Sequence, residues 1–536
     1  DVDIGIDITT GPLGQGFATG VGLALAETYL SDIFGNEIID HYVYGIVSDG
    51  DLMEGVSFEA AELAGLWKLG KLIYIFDDNN ISIDGNVEKV SVTDQSAKFQ
   101  SLGWHVQEID GHDENQIINA VKDARDNTSK PSLIIAKSTI GKHSPNKQNT
   151  SGVHGSPLGS DEMEQFLENL DWTRDAFDHS QEIYDYFNEK RDIDNDKHDE
   201  WVSLLEEKIK TNDDFAILWN EFNNKKIEFS HSQKYDRKAT RVTGSEVLKS
   251  IGESNRFILG GSADLAASTK QIISNSIYSH QNRSGQSIEF GIREHAMAAV
   301  VNGITLHSNL ISYGSTFLVF SDYMRPSIRL ASLMNLNSVY IFTHDSIYLG
   351  EDGPTHQPVE HLMSLRLIPG VDVVRPANSI EVQYAYQYIF TKSNNPKSLV
   401  LTRQSLDYVE TNLSYKNFQE GAYELIKGDD ITIFASGSEV SLAIEVSKKL
   451  KNKSVQIIST PILNQVNTDT LTNLKINEFV FTLELGRSIG WQDYIGKVTE
   501  SFSIETFGKS APQEDLTNYF EFSAEKIAEK ILQHIS

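Results

Sequence analysis

The 536-residue chain contains no cysteine, so neither disulfide bridges nor thiolate chemistry contribute to its structure or its work. No apolar run approaches the ~20 residues that a membrane-spanning helix needs. No secretory signal stands out, which makes the cytoplasm the default expectation. Basic residues are scarce: 46 Lys and Arg stand against 76 Asp and Glu, for a formal net charge of −30. Such a balance argues against nucleic acid or an anionic membrane as partner. It also means that an anionic small molecule would need a local basic pocket. Fixed-period repeats and low-complexity tracts are absent as well. What is present is a 39% hydrophobic fraction, enough for sizeable cores, and a length that holds about three to four domains at ~150 residues each.

The most informative stretch is IVSDGDLMEG at Ile46–Gly55, followed by IYIFDDNNIS at Ile73–Ser82. Each piece is an apolar strand ending in oxygen-bearing side chains, with Asp49 after the first and Asp77, Asp78, Asn79 and Asn80 after the second. The intervening EGVSFEAAELAGLWKLG reads as a helix, so the unit is βαβ with parallel strands. Ligands of open α/β sheets bind outside the carboxyl ends of such strands. A carboxylate, an amide oxygen and nearby carbonyls suit a hard divalent cation such as magnesium, which usually carries a phosphate ligand. Helix caps and turns are the alternative reading of the same residues. Upstream, TTGPLGQGFATGVGLALAE (Thr9–Glu27) is a glycine-rich loop entering an apolar helix. Gly11, Gly14 and Gly16 let backbone N–H groups approach an anion at a helix N-terminus, although Gly16, Gly20 and Gly22 equally suit close helix packing. Together, the loop and the Asp…Asn pair describe a magnesium–diphosphate site.

GPLGQGF, DGDLMEG, DDNNISIDG, FGIREHAM, THDSIYLGEDGPTHQPVEH and LTRQ, in that order, resemble transketolase, and the likeness extends to ETFGKSAP at Glu505–Pro512. GEDGPTHQP is much more specific to this family than the diphosphate motif, which many thiamine-diphosphate enzymes share. The resemblance implies an α/β fold of three consecutive domains with mainly parallel sheets. We expect a diphosphate- and magnesium-binding domain over 1–210 with a helical linker to about 234. A pyrimidine-binding domain over 235–413 and a C-terminal α/β domain over 414–536 would follow. The stretch from Ser160 to Phe229 is polar and charged, and reads as amphipathic helices and exposed connection. The chain opens on DVDIGIDITTGPLG, whereas the resemblance implies roughly another hundred residues there, including histidines near the diphosphate and the substrate.

Residue by residue, the resemblance gives Asp49, Asn79 and the carbonyl of Ile81 to the metal, with calcium or another divalent cation able to replace magnesium. Gly11, Leu13, Gly50, Asn79 and His154 would contact the cofactor, as would Asp264, which a dimer contact also explains. Glu294, at a strand-to-helix junction, would donate to the aminopyrimidine ring, where the bland role is that of a helix-dipole partner. Phe317 would stack on that ring, with Phe320 and Tyr323 following at helical spacing, although an aromatic in such a run is more often plain core. Arg241 and Arg403 would grip a substrate phosphate, helped by Ser268 and His344. Arg suits this because its planar fork holds a phosphate with two hydrogen bonds. Asp352 would check hydroxyl stereochemistry, and His356 and His154 would act near the donor carbonyl. His41, His105, His112 and His307 carry no site argument. Three departures stand out: Ser48 where most relatives have Gly, Asn80 where Gly is frequent, and Ser151 where a second histidine is common.

The implied reaction moves a two-carbon ketol unit from a ketose phosphate such as xylulose 5-phosphate to an aldose phosphate such as ribose 5-phosphate, a step of the pentose phosphate pathway. The implied assembly is a homodimer with shared active sites. Dihydroxyacetone synthase shares nearly every motif and differs mainly in its formaldehyde acceptor. Deoxyxylulose-phosphate synthase and the decarboxylating subunit of pyruvate dehydrogenase should lack GEDGPTHQP with both arginines. A non-catalytic cofactor-binding or dimerisation chain is the rival of a different class.

Overall fold

A computed structural model describes residues 5–175, 177–224, 227, 229, 237–391, 393–407, 409 and 411–535. The expected linker end near 234 and the second domain's start at 235 lie outside the described residues. The chain divides into two compact units, Asp1–Asn224 and Lys225–Ser536. No described helix is long and apolar enough to cross a membrane.

In the first unit, four β-branched and aromatic segments form an all-parallel sheet. Its spatial order is Val43–Ser48, Leu72–Asp78, Ser132–Lys137, His105–Asp110. Register pairs Val43 with Leu72 and Ser48 with Asp77, which brings the two acidic strand ends side by side. Helix Gly55–Trp67 supplies the crossover, and helix Gln15–Phe34 is buried along most of its length. Small residues on that helix have a local cause. The Tyr74 ring lies between Gly20 and Gly45, where added Cβ atoms would approach it to 2.1 and 2.4 Å, and its hydroxyl donates to the Phe17 carbonyl at 2.6 Å. Gly20→Ala therefore forces overpacking and is expected to cost about 1–3 kcal/mol, read as a lower denaturant midpoint. The charged stretch after Ser160 forms helices Ser160–Asn169, Gln181–Thr211 and Asp213–Asn224. The last is anchored where Phe215, Trp219 and Phe222 surround Phe34 at ring distances of 5.9, 5.0 and 5.4 Å.

The second unit contains two principal sheets. Six strands are all parallel, in the order Asp372–Val374, Lys397–Leu401, Val339–Thr343, Ile311–Phe317, Ile258–Ser262, Ser287–Glu289. The central strands are buried along their whole length, as expected of a parallel sheet covered on both faces. Five further strands run in the order Tyr423–Ile426, Val455–Ser459, Ile431–Ala435, Phe479–Leu483, Glu500–Phe502, with only the first antiparallel to its neighbour.

Candidate active site

In the first unit the site grows from the ends of Val43–Ser48 and Leu72–Asp78. Ser48 caps the short helix Asp49–Met53, and Asp51 returns the bond in a capping box. A serine at this glycine-rich position thus has a structural use of its own: its hydroxyl caps the turn. The other Asp51 oxygen accepts the Gly14 N–H at 2.9 Å, tying the glycine-rich turn to the acidic motif. Sequence reading did not single out Asp51. Gly14 sits in the left-handed region at φ 77, and an added Cβ there would meet Glu54, Val56 and Ser57 at 2.8 Å. Gly50 faces the Leu13 side chain, 2.7 Å from where a Cβ would be, so Leu13 and Gly50 are neighbours. Gly11 lies exposed in the preceding turn.

Asp49 is buried, and that burial together with the charges of Asp78 and Asp77 pushes its carboxyl up to about 6. Asp77 is fixed by Ser138 and by the Asn79 amide at 2.8 Å. The Asn79 oxygen accepts the Ile81 N–H at 3.0 Å, and Asn80 takes the left-handed conformation, φ 59, that glycine would adopt without strain. A buried carboxylate facing two more, beside an amide oxygen and a free lone pair, is a donor set that suits a hard cation. His154 follows the short turn Ser151–Val153 and is exposed. No hydrogen bond links its side chain to the other candidates among the described residues.

In the second unit the candidates gather at the carboxyl end of the six-stranded sheet. Glu294 opens helix Glu294–His307 and is 9% exposed. Burial raises its pKa against the pull of its own backbone N–H and of Thr316, whose hydroxyl lies 3.4 Å from Oε1. Phe317 ends its strand and stands parallel to Phe320 at 5.9 Å. Tyr323 continues the row 6.1 Å further, and His356 meets the Phe320 ring edge-on at 5.6 Å. His344 leaves its strand at φ 60, with its ring 3.8 Å from that of Phe317. Burial, then Arg241, Arg403 and His356, press its pKa down to about 3, so the ring is neutral near pH 7. Asp352 lies exposed in the same loop as His356.

Arg241 and Arg403 come from distant segments that are stitched together. Lys238–Ala239 pairs antiparallel with Ser405–Leu406, and Thr240 and Thr402 exchange backbone-to-hydroxyl bonds of 3.0 and 2.7 Å. Arg241 donates to the Ser268 carbonyl at 2.5 Å and lies 3.4 Å from His344 Nε2. Burial and the nearby Arg403 lower its pKa. Neither arginine has a carboxylate partner among the described residues, so two like charges await an anion. Asp264, at φ 59, is exposed after the strand that leads to Ser268. Outside these expectations, Asp322, Glu360 and His361 hold ligand-type atoms within 4.8 Å of one another.

One parallel sheet carries an acid–amide set beside a glycine-rich turn, and another carries a buried acid and an aromatic row, the α/β arrangement that the likeness to thiamine-diphosphate enzymes implies. The model of the transketolase thiamine diphosphate binding domain matches residues 1–226, that of the transketolase pyrimidine binding domain residues 236–408, and that of the transketolase-like C-terminal domain residues 421–523. Transketolase of Staphylococcus aureus (strain MRSA252) is 39% identical over 98% of this chain and 83% of its own length. That of Bacillus subtilis (strain 168) is 38% identical over the same shares. The solved transketolase of Leishmania mexicana superposes with a TM-score of 0.94 at 33% identity, over 99% of this chain and 81% of that one. A Pichia stipitis transketolase in complex with sedoheptulose 7-phosphate gives 0.93 at 34%, over 99% and 82%. The chain belongs to the transketolase family and is a ketol-transferring enzyme.

Proposed function

We propose that the chain transfers a two-carbon ketol unit from a ketose phosphate such as xylulose 5-phosphate to an aldose phosphate such as ribose 5-phosphate. The observation that carries this reading is the sheet edge where buried Glu294, the Phe317–Phe320 row, neutral His344 and two arginines without a carboxylate partner among the described residues converge. Bound thiamine diphosphate supplies the electron sink for breaking the carbon–carbon bond beside the ketose carbonyl. Asp49, Asn79 and the Ile81 carbonyl would hold its magnesium, with Gly11, Leu13, Gly50 and His154 along the diphosphate. Glu294, whose burial favours the protonated carboxyl, would donate to the pyrimidine, and Phe317 with Phe320 and Tyr323 would face it. Arg241, Arg403, Ser268 and His344 would bind the sugar phosphate. Asp264 and Asp352 would read hydroxyls, and His356 and His154 would move protons at the donor carbonyl.

We also propose a homodimer with shared active sites. Ile292 and Tyr323, beside Glu294 and Phe320, remain 78% and 62% exposed in the single chain, apolar surface of the kind a partner covers. Division into three functional domains, near 1–210, 235–413 and 414–536, follows the same reading.

The test incubates purified protein with xylulose 5-phosphate, ribose 5-phosphate, thiamine diphosphate and magnesium and follows sedoheptulose 7-phosphate. Product that disappears without the cofactor is the expected result. A parallel reaction with formaldehyde as acceptor separates dihydroxyacetone synthase. A folded dimer that gives no product would leave only a binding role.

A further inference from the structure

The C-terminal sheet has been given no part in the chemistry, yet it meets the six-stranded sheet of the same unit through a cluster of buried charges. Arg375 follows strand Asp372–Val374 and donates from Nε and Nη2 to Asp345 at 3.1 and 2.7 Å. Its Nη1 donates to Ser436 Oγ at 3.0 Å, to the Ser436 carbonyl at 3.1 Å and to Glu439. Glu439 also accepts the Leu485 N–H at 3.1 Å. Beside it, Arg366 forms a two-pronged pair with Glu484 at 2.7 and 2.8 Å, and Glu484 also accepts from Ser436 and Trp491. None of these five charged side chains is more than 4% exposed.

Burying two arginines and three carboxylates is a poor route to stability, since desolvation offsets much of the attraction. One Asp345 oxygen is even left without a hydrogen-bond partner. What the cluster does secure is position. Asp345 is the residue next to His344, whose left-handed backbone costs on the order of 1–3 kcal/mol and persists only where surroundings enforce it. The same C-terminal sheet region braces the neighbouring loop. Buried Gln357 donates to the carbonyls of Ile347, Gly350 and Lys509 at 3.1, 2.9 and 2.9 Å, and Ser510 donates to the Glu351 carbonyl at 2.5 Å. Gly508 is required there, because a Cβ would lie 1.7 Å from Gln357 Oε1.

We propose that the C-terminal region is a positioning device for the donor-phosphate subsite: Glu439 and Ser436 set Arg375, Arg375 sets Asp345, and Asp345 fixes His344 against Arg241. This rests on the phosphate-binding role given to His344 above. Glu439, Ser436, Arg375 and Asp345 are accordingly positioning residues and touch no substrate.

The experiment compares KM and kcat for xylulose 5-phosphate and for unphosphorylated xylulose in wild type, Glu439→Gln, Ser436→Ala and His344→Ala. In Glu439→Gln and Ser436→Ala a displaced His344 should raise KM for the phosphorylated donor about tenfold, as couplings carried through such networks do, and leave KM for the unphosphorylated donor and kcat unchanged. Ser436→Ala loses only hydrogen bonds and keeps every charge, so it gives the same readout if Glu439→Gln fails to fold. Equal effects on both donors, or none in the folded variants, would overturn the proposal and leave the cluster as glue between sheets. If His344→Ala itself shows no selectivity for the phosphorylated donor, the phosphate-binding reading fails instead.

Discussion

Glu294→Gln is expected to lower kcat by about 10²–10⁴-fold, the usual weight of a positioned proton donor, while thiamine diphosphate still binds. Gln keeps the shape and an oxygen for the Thr316 hydroxyl, but it cannot lend a carboxyl proton to the pyrimidine ring. The second half of the prediction concerns stability and runs the other way. Burial raises the Glu294 pKa in the folded protein above its unfolded value of about 4.3. Between those two values the folded state holds a proton that the unfolded chain has released, so stability falls as pH rises through that window. Below about pH 4 this penalty is absent. The cofactor-free Gln variant should therefore match wild type in acid and become the more stable protein at neutral pH. Urea unfolding at pH 4 and pH 7.5 measures this. Were Glu294 only a helix-dipole partner, Gln would instead cost about 0.3–1 kcal/mol at neutral pH and leave kcat alone.

Residues that announce themselves in sequence here are those whose function needs a local pattern. Asp49 and Asn79 follow apolar strands, and parallel pairing of Val43–Ser48 with Leu72–Asp78 was readable from the strand–helix–strand period. The family likeness was readable from GEDGPTHQP. Other features are set by long-range packing. Arg375 meets Asp345, 30 positions away, and Glu439, 64 away, while Arg366 meets Glu484 across 118. No periodicity records such partners, and GSEVSLAIEV by itself reads as an ordinary helix start. In the fold, Glu439 turns that start inward onto Arg375. Positive φ at Asp264 and His344 was likewise silent, since neither residue is glycine. Asp51 sat inside the recognised motif, yet its bond to Gly14 crosses 37 positions and only the fold reveals it.

Arg241→Leu should raise KM for a phosphorylated donor by about 100-fold, because removing one half of a half-buried charge pair with an anion costs 2–5 kcal/mol. The free protein should respond oppositely. Arg241 is partly desolvated and faces Arg403, which together lower its pKa, so a shorter, uncharged side chain removes a repulsion that only a bound anion otherwise relieves. Inorganic phosphate should raise the Tm of the wild type through preferential binding to the folded state, and this rise should shrink in the variant. High salt should blunt the wild-type response, since the attraction is electrostatic and screened over roughly 8 Å at physiological ionic strength. The three readouts belong together: weaker donor binding, a more stable free protein and a smaller phosphate response. A packed surface arginine of no functional consequence would change none of the first and third. Loss of its stem would then lower stability, the opposite of what two neighbouring guanidinium groups with no carboxylate partner among the described residues require.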